Sequence, residues 1–346
     1  MWQADVASII PVTVHSKLPP PSQPTSLPNY NSYDSAAMQK LILKKPVRLA
    51  LIQLACTTDK AHNLSHARSK VLEAVEQHNA RIVVLPECFN SPYGTKYFPK
   101  YAETLLPSPP SESQSPSFHA LSKMAKEASC YLIGGSIPER EGSNGRLYNT
   151  SLTFNPEGNL IATHRKLHLF DIDIPGKIKF KESEVLSAGN KVTMVDLPEY
   201  GKIAIAICYD VRFPELAMIA ARKGAFLLLY PGAFNLTTGE LHWELQARAR
   251  AMDNQVYVGL CSPARDMQAD YNAWGHSMIV NPNAEILGEL DEKEGTVVAE
   301  LTGEMIDDVR KGIPLYEQRR FKVYPDVSEG EIRFEEPEAP PGYAPN

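Results

Sequence analysis

Between Val47 and about Tyr324 the chain alternates short runs of uninterrupted apolar residues with longer stretches whose apolar positions recur every three or four places. Uninterrupted runs suit strands covered on both faces, and the three-to-four spacing suits helices with one buried face, so the pattern predicts an α/β core. Val47–Leu54 is expected to form the first strand and Arg81–Leu85 the second. Between them, Val71, Leu72 and Val75 share a face of a helix expected over Ala67–Asn79. The Pro- and Ser-rich stretch 107–116 reads as a surface loop leading into a helix that carries Phe118, Leu121, Met124 and Ala125. Further strands are expected at Tyr131–Ile137, Tyr148–Phe154 and Leu160–His164, the last two joined by the turn Asn155-Pro-Glu-Gly158.

The second half repeats this order of elements. Lys202–Ile207 and Phe226–Tyr230 are apolar runs, Pro214 stands where a helix would begin, and Glu240–Asn254 places Leu241, Leu245, Ala249 and Met252 on one helical side. Strands at Val256–Cys261 and His276–Asn281 follow. Leu85-Pro-Glu-Cys-Phe-Asn90 and Tyr230-Pro-Gly-Ala-Phe-Asn235 occupy matching places. That repetition predicts one pseudo-symmetric sandwich over 46–325, although a chain of 346 residues would ordinarily make about two domains. Residues 1–45, with six Pro, six Ser and little periodicity, are expected to be a disordered extension, with Met38 an alternative start. Residues 326–346 read as an acidic flexible tail.

Charge narrows the partners. Thirty-five basic against 41 acidic residues give a net charge of −6, and the last 22 residues, with six carboxylates and one Arg, account for −5 of it. The body is therefore near neutral with no basic stripe, which argues against a nucleic-acid or anionic-membrane surface. No run of about 18 uncharged apolar residues is present to cross a membrane. Five cysteines without a CxxC pair, and a start that lacks a basic segment and carries Asp5, predict reduced thiols and a cytoplasmic protein. A mitochondrial address is the alternative, weakened by the absence of Arg before Arg48.

Reactive groups in an α/β sheet tend to sit just past the carboxyl ends of strands, where turns and helix N-termini present free N–H groups. Glu87, Lys166 and Cys208 each occupy such a place. Cys208 precedes a tight turn into the helix at Pro214, which would surround its sulfur with backbone donors; a buried, inert thiol is the ordinary alternative and the reading for Cys56, Cys130 and Cys261. Cys88, next to Glu87, would point the other way along an extended chain. Taken singly, Glu87 reads equally as a helix cap and Lys166 as a surface cation. Together they supply the three tasks of amide hydrolysis: a base, a nucleophile, and a cation that with a backbone N–H, that of Tyr209, stabilises an oxyanion. A Cys-His pair is the rival among nine histidines; His164 and His168 flank Lys166 and read as core or surface residues.

Leu85-Pro-Glu-Cys-Phe-Asn90, His164-Arg-Lys166 and Ile207-Cys-Tyr-Asp-Val-Arg-Phe-Pro-Glu-Leu216 closely resemble the three signature segments of the nitrilase, or carbon–nitrogen hydrolase, superfamily. The resemblance runs from about Val47 to Tyr324. It implies a four-layer α-β-β-α sandwich and a Glu-Lys-Cys triad at Glu87, Lys166 and Cys208. Phe89-Asn-Ser-Pro-Tyr-Gly94, Lys166-Leu-His-Leu-Phe-Asp-Ile-Asp-Ile-Pro-Gly176 and Tyr230-Pro-Gly-Ala-Phe-Asn-Leu-Thr-Thr-Gly239 are similar to its ω-amidase branch. That branch hydrolyses the terminal amide of 2-oxoglutaramate and 2-oxosuccinamate, releasing ammonia.

The resemblance also implies a second carboxylate near the lysine, which falls on Glu182 with Glu184 as fallback, to hold Lys166 or touch substrate. A substrate that carries a carboxylate needs a donor at its far end. Tyr93 is the candidate donor, Phe234 a pocket wall, and Arg212 either a substrate contact or half of a structural ion pair with Glu215. Rival readings are a deaminated-glutathione amidase, an N-carbamoyl hydrolase, a true nitrilase, or a scaffold without activity. The resemblance further implies a homodimer through helices at Pro214–Lys223 and Glu240–Asn254, with Trp243 as interface anchor or core residue. No metal cluster or phosphate-cradling glycine motif is present, so no cofactor is expected.

Overall fold

The computed structural model describes residues 42–330, apart from 107 and 143. The expectations for most of the extension, for Met38 and for most of the acidic tail therefore lie outside the described residues.

The first sheet contains β1 (Val47–Gln53), β2 (Ile82–Val84), β3 (Tyr131–Ile133), β4 (Ile137–Arg140), β5 (Leu147–Phe154) and β6 (Leu160–Arg165). A separate hairpin, β7 (Asp171–Ile174) and β8 (Ile178–Lys181), follows. The second sheet contains β9 (Thr193–Leu197), β10 (Gly201–Ile205), β11 (Ala225–Pro231), β12 (Tyr257–Cys261), β13 (Met278–Val280) and β14 (Ile286–Glu289). The last strand, β15 (Gly295–Leu301), returns to the first sheet and pairs antiparallel with β1. Three adjacent parallel strands stand at the centre of each sheet, β1-β2-β3 in one and β10-β11-β12 in the other.

The principal helices are α1 (Lys60–His78), a short α2 (Phe98–Tyr101), α3 (Pro116–Ala128), α4 (Pro214–Arg222), α5 (Leu236–Asn254), α6 (Gly303–Gly312) and a short α7 (Leu315–Gln318). Strand alternation sorts the apolar residues into layers. Leu49, Leu51, Ile82 and Val84 meet Ile203, Ile205, Leu227 and Leu229 between the sheets. Ala50, Ile52 and Val83 face α1 and α3, while Leu228, Tyr230 and Val258 face α4 and α5. The architecture is the four-layer sandwich, and the paired halves are the expected duplication.

Several elements differ from the sequence reading, each for an identifiable reason. Helix α1 begins at Lys60, where the Asp59 side chain accepts from the His62 N–H at 3.0 Å, because its first two turns are largely polar and carry little apolar signal. Tyr131–Ile137 breaks after Ile133 at Gly134 and Gly135. A Cβ at Gly135, whose φ is +57°, would stand 2.0 Å from the Pro86 carbonyl oxygen, so only glycine lets this corner rest against the Glu87 loop. Helix α5 starts at Leu236 under an Asn235 cap, four residues before the expected Glu240. Its Leu241, Leu245 and Met252 point to solvent, and the buried side is Trp243, Ala247 and Ala251. Trp243 donates to the His276 carbonyl at 2.7 Å and belongs to the core, which corrects the interface-anchor reading. At the margins, Leu43 is buried and Asp326 pairs with Arg222 of α4 at 2.7 Å, so the packed body extends beyond 46–325 at both ends.

Candidate active site

The three candidate residues leave the ends of different strands and meet between the two sheets' carboxyl edges. Glu87 follows β2, Lys166 follows β6 and Cys208 follows β10. All three are buried, at 1 %, 1 % and 3 % exposure. Lys166 Nζ lies 3.0 Å from Glu87 Oε1 and 3.0 Å from Glu182 Oε1, so one ammonium bridges two carboxylates. Glu182 is the second carboxylate expected near the lysine. Glu184 points outward, its side chain two-thirds exposed and 4.0 Å from Lys181, so the fallback is not needed.

Glu87 is held at both oxygens. Its Oε1 also accepts from Asn149 Nδ2 at 2.8 Å, and its Oε2 accepts from the Ala233 N–H at 2.8 Å. Ala233 belongs to the segment after β11 that repeats the Glu87 loop, so the two halves of the duplication meet at Glu87. The Ala233 carbonyl in turn accepts from the Tyr271 hydroxyl at 2.6 Å. From the other side, the Cys88 N–H donates to Ser136 Oγ at 3.0 Å. Glu182 is equally restrained, with Oε2 accepting from the Phe170 N–H at 2.6 Å and Oε1 from the Tyr93 hydroxyl at 2.6 Å.

Cys208 opens a 3₁₀ turn, Cys208–Arg212, and takes the left-handed conformation with φ +49°. A non-glycine residue there is strained and must be held by its surroundings. Asp210, fully buried, does the holding. Its Oδ2 accepts from the Ile207 N–H at 2.9 Å and faces His164 Nε2 at 3.2 Å; its Oδ1 accepts from the His168 N–H and meets His168 Nδ1, both at 2.8 Å. The Cys208 turn is thereby tied to the segment that carries Lys166. Arg250 of α5 adds a bond from Nε to the Val211 carbonyl at 2.8 Å. Gly232 leaves room on the remaining side, since a Cβ there would lie 3.0 Å from Cys208 Cα.

The electrostatics follow from burial. Desolvation raises the Glu87 carboxyl above its ordinary range, against the opposing pull of the Lys166 ammonium and the Cys208 thiol. Burial pushes the Cys208 thiol well up, and the Glu87 charge adds to the rise. Burial alone would lower Lys166, but Glu182 and Glu87 hold it well above its ordinary value, so it stays an ammonium. The thiol is thereby kept neutral beside a carboxyl group whose proton affinity has been raised. Such a pair can move a proton while the sulfur attacks a carbonyl.

The remaining candidates divide. Tyr93 sits in the wall of the site, but its hydroxyl is engaged by Glu182, which removes it from the role of far-end donor. Phe234 is buried against Trp243, with ring centroids 5.0 Å apart. Arg212 stands with its guanidinium 4.6 Å above the Phe234 ring. The expected Arg212–Glu215 ion pair is not formed. Arg212 instead meets His242 Nδ1 at 3.1 Å, and its buried Nε has no hydrogen-bond partner among the described residues. Tyr209 follows the sulfur at the start of the 3₁₀ turn, where leading N–H groups lack intrahelical acceptors. Asn149, Asp210, Ala233 and Tyr271 were not candidates. For Asp210 a signal existed, a carboxylate two residues past the nucleophile, and the histidines flanking Lys166 were its partners.

Residues 48–311 match the carbon-nitrogen hydrolase family. The chain is 51 % identical over 289 residues to the ω-amidase NIT3 of Saccharomyces cerevisiae, covering 83 % of this chain and 98 % of that protein. It is 52 % identical over 277 residues to the ω-amidase NIT2 of Homo sapiens, covering 80 % and 96 %. Among solved structures, Nit3 of S. cerevisiae, a member of branch 10 of the nitrilase superfamily, superposes with a TM-score of 0.75 at 48 % identity, covering 81 % of this chain and 98 % of that one. With signature segments, layered fold and relatives in agreement, this chain belongs to the carbon-nitrogen hydrolase family, within the nitrilase superfamily.

Proposed function

We propose that this chain is an ω-amidase that hydrolyses the terminal amide of 2-oxoglutaramate and 2-oxosuccinamate to the 2-oxo dicarboxylic acid and ammonia. The observation that carries the reaction class is the buried contact of Glu87 and Lys166 at 3.0 Å beside Cys208 on its strained turn. Glu87 takes the thiol proton as the sulfur attacks, then returns it to the departing nitrogen, leaving a thioester on Cys208. Two of the three Lys166 N–H donors are engaged by Glu87 and Glu182, so the third, with the Tyr209 N–H, is available to the oxyanion. Glu182 holds Lys166 in place, and Glu87 then activates the water that releases the acid.

Arg212 is the partner we assign to the substrate carboxylate. A partly buried guanidinium with no acidic partner and an unbonded Nε is a site prepared for an anion. Thr238, one turn of α5 before His242, offers a second donor, since its buried hydroxyl has no partner among the described residues. Phe234 forms the apolar floor between them and Cys208.

We assign the active form as a homodimer through α4 and α5, supported by the exposure of Leu241, Leu245 and Met252 at 60 %, 63 % and 54 %. A cytoplasmic address accords with five cysteines that are all free. The experiment that tests the function is ammonia release by wild type and Cys208→Ala, each offered 2-oxoglutaramate, glutamine, an N-carbamoyl amino acid and a short-chain nitrile. Fastest turnover of 2-oxoglutaramate, lost in Cys208→Ala, supports the reading. Preference for another compound overturns the branch, and no turnover of any overturns the enzyme.

A further inference from the structure

The substrate assigned above has two unlike halves, an acyl part ending in a carboxylate and a nitrogen that leaves. The structure has two unlike surroundings for them. On the acyl side Arg212 meets His242 Nδ1 at 3.1 Å and stands 4.6 Å above the Phe234 ring. Against Glu87 lies a cavity of about 320 Å³, between the carboxyl ends of β1, β2 and β12, and Cys208, Arg212 and Phe234 are not among its lining residues. Glu87, Ser91, Thr57, Tyr93, Asp266 and Asp270 are among the residues that do.

Three features of this cavity point to its occupant. Glu87 belongs both to it and to the triad, and the leaving nitrogen must lie against Glu87 to receive its proton. The volume is roughly ten times the ~30 Å³ that a water molecule occupies, so it exceeds what ammonia needs. Its charge has one sign: no Lys, Arg or His lines it, while three carboxylates do. Glu87 is compensated by Lys166 at 3.0 Å and Asp270 by Lys96 at 2.6 Å, but the exposed Asp266 carboxylate has no cationic partner among the described residues and accepts the Gln268 N–H at 2.8 Å. A substrate carboxylate would be repelled here and a cation attracted. The cavity also holds an unused polar group, since Ser91 is 1 % exposed and its Oγ has no hydrogen-bond partner among the described residues.

We propose that this cavity is an amine-side subsite, which takes the nitrogen half of N-substituted ω-amides and admits primary amines that bear a second, positively charged group as acceptors of the acyl chain. The inference rests on the ω-amidase reading, because it needs the thioester on Cys208. In the transfer step the amine lone pair attacks the thioester carbon and forms the C–N bond. The amine proton passes to Glu87, the C–S bond breaks, and Glu87 hands the proton to the departing sulfur. The products are a secondary amide and the free thiol, with nothing oxidised or reduced.

The test offers the wild-type enzyme 2-oxoglutaramate with 1,3-diaminopropane, propylamine or β-alanine, three amines of similar length and different far-end charge. The ratio of secondary amide to 2-oxo acid is read by mass spectrometry. The expected result is a ratio that saturates with amine and is on the order of tenfold higher for the diamine than for β-alanine at equal free-base concentration. Asp266→Lys should narrow or invert that order, and because the readout is a ratio of two products in one reaction, loss of overall rate does not mimic it. A ratio that rises linearly with amine and ignores its charge, or an order unchanged in Asp266→Lys, overturns the subsite. Absence of acid from 2-oxoglutaramate alone overturns the ω-amidase reading and the subsite with it.

Discussion

As the base of the proposed reaction, Glu87 must carry a charge in a place that disfavours charge, and this would set the pH behaviour of the enzyme. In the proposed reaction the active base is the carboxylate. Burial has raised its proton affinity, so activity should increase as pH rises through a value above the ordinary carboxylate range of about 4.3, and fall away below it. Glu87→Gln should lower kcat by roughly 10²–10⁴-fold and abolish that acid limb, measured by initial rates from pH 4 to 9. At the far end, Arg212→Met leaves the proposed triad untouched and removes the guanidinium that stands over Phe234. KM for 2-oxoglutaramate should rise on the order of 100-fold, with a much smaller change for a neutral short-chain amide; equal losses on both would sink the carboxylate assignment.

At the scale of elements, the Cys208 turn is held by its neighbours more than by its own residues. Asp210 joins the turn to the segment after β6 through His164 and His168, and those bonds hold its carboxyl far below the usual range despite the cost of burial. A carboxyl with a lowered folded pKa contributes stability that is complete above about 3.9 and is lost as pH falls toward the folded value. Asp210→Asn should therefore cost about 3 kcal/mol at pH 7 and progressively less in acid, read by urea titration at several pH values. A constant difference across pH would show that its charge is unimportant. The same scale explains what the sequence pattern left out. The β7–β8 hairpin alternates Asp with Ile and Lys with Ile or Phe, too polar to announce a strand, yet it places Phe170 and Glu182 where Tyr93 and Lys166 need them.

At the scale of the whole molecule, α5 faces two ways. Its buried side is small residues and Trp243; its outer side is the leucine and methionine stripe that periodicity alone would assign to a core. Periodicity reports that a face is apolar and says nothing about which surface covers it. If a second copy covers this one, Leu241→Glu with Leu245→Glu should shift the protein from dimer to monomer in light scattering while far-UV circular dichroism is retained. An unchanged mass would place the interface elsewhere.

The layered α/β architecture, the duplication and the three candidate residues were legible in the sequence because each leaves a local mark. Strands buried on both faces are uninterrupted apolar runs, and Glu87 and Cys208 each stand three residues past the end of one, while Lys166 directly follows the half-buried β6. What surrounds them was not legible. The Glu87 carboxylate is positioned by Asn149 and Ala233, 62 and 146 residues away along the chain, and no spacing rule connects such distances. The Tyr93 hydroxyl turned to Glu182, and Arg212 gave up the nearby Glu215 for His242, because partners were decided by which strands became neighbours. The sequence by itself determined which layers form and which side chains are capable of chemistry. Only the tertiary structure decided their charge states and partners, since burial and proximity exist only once the two sheets have packed.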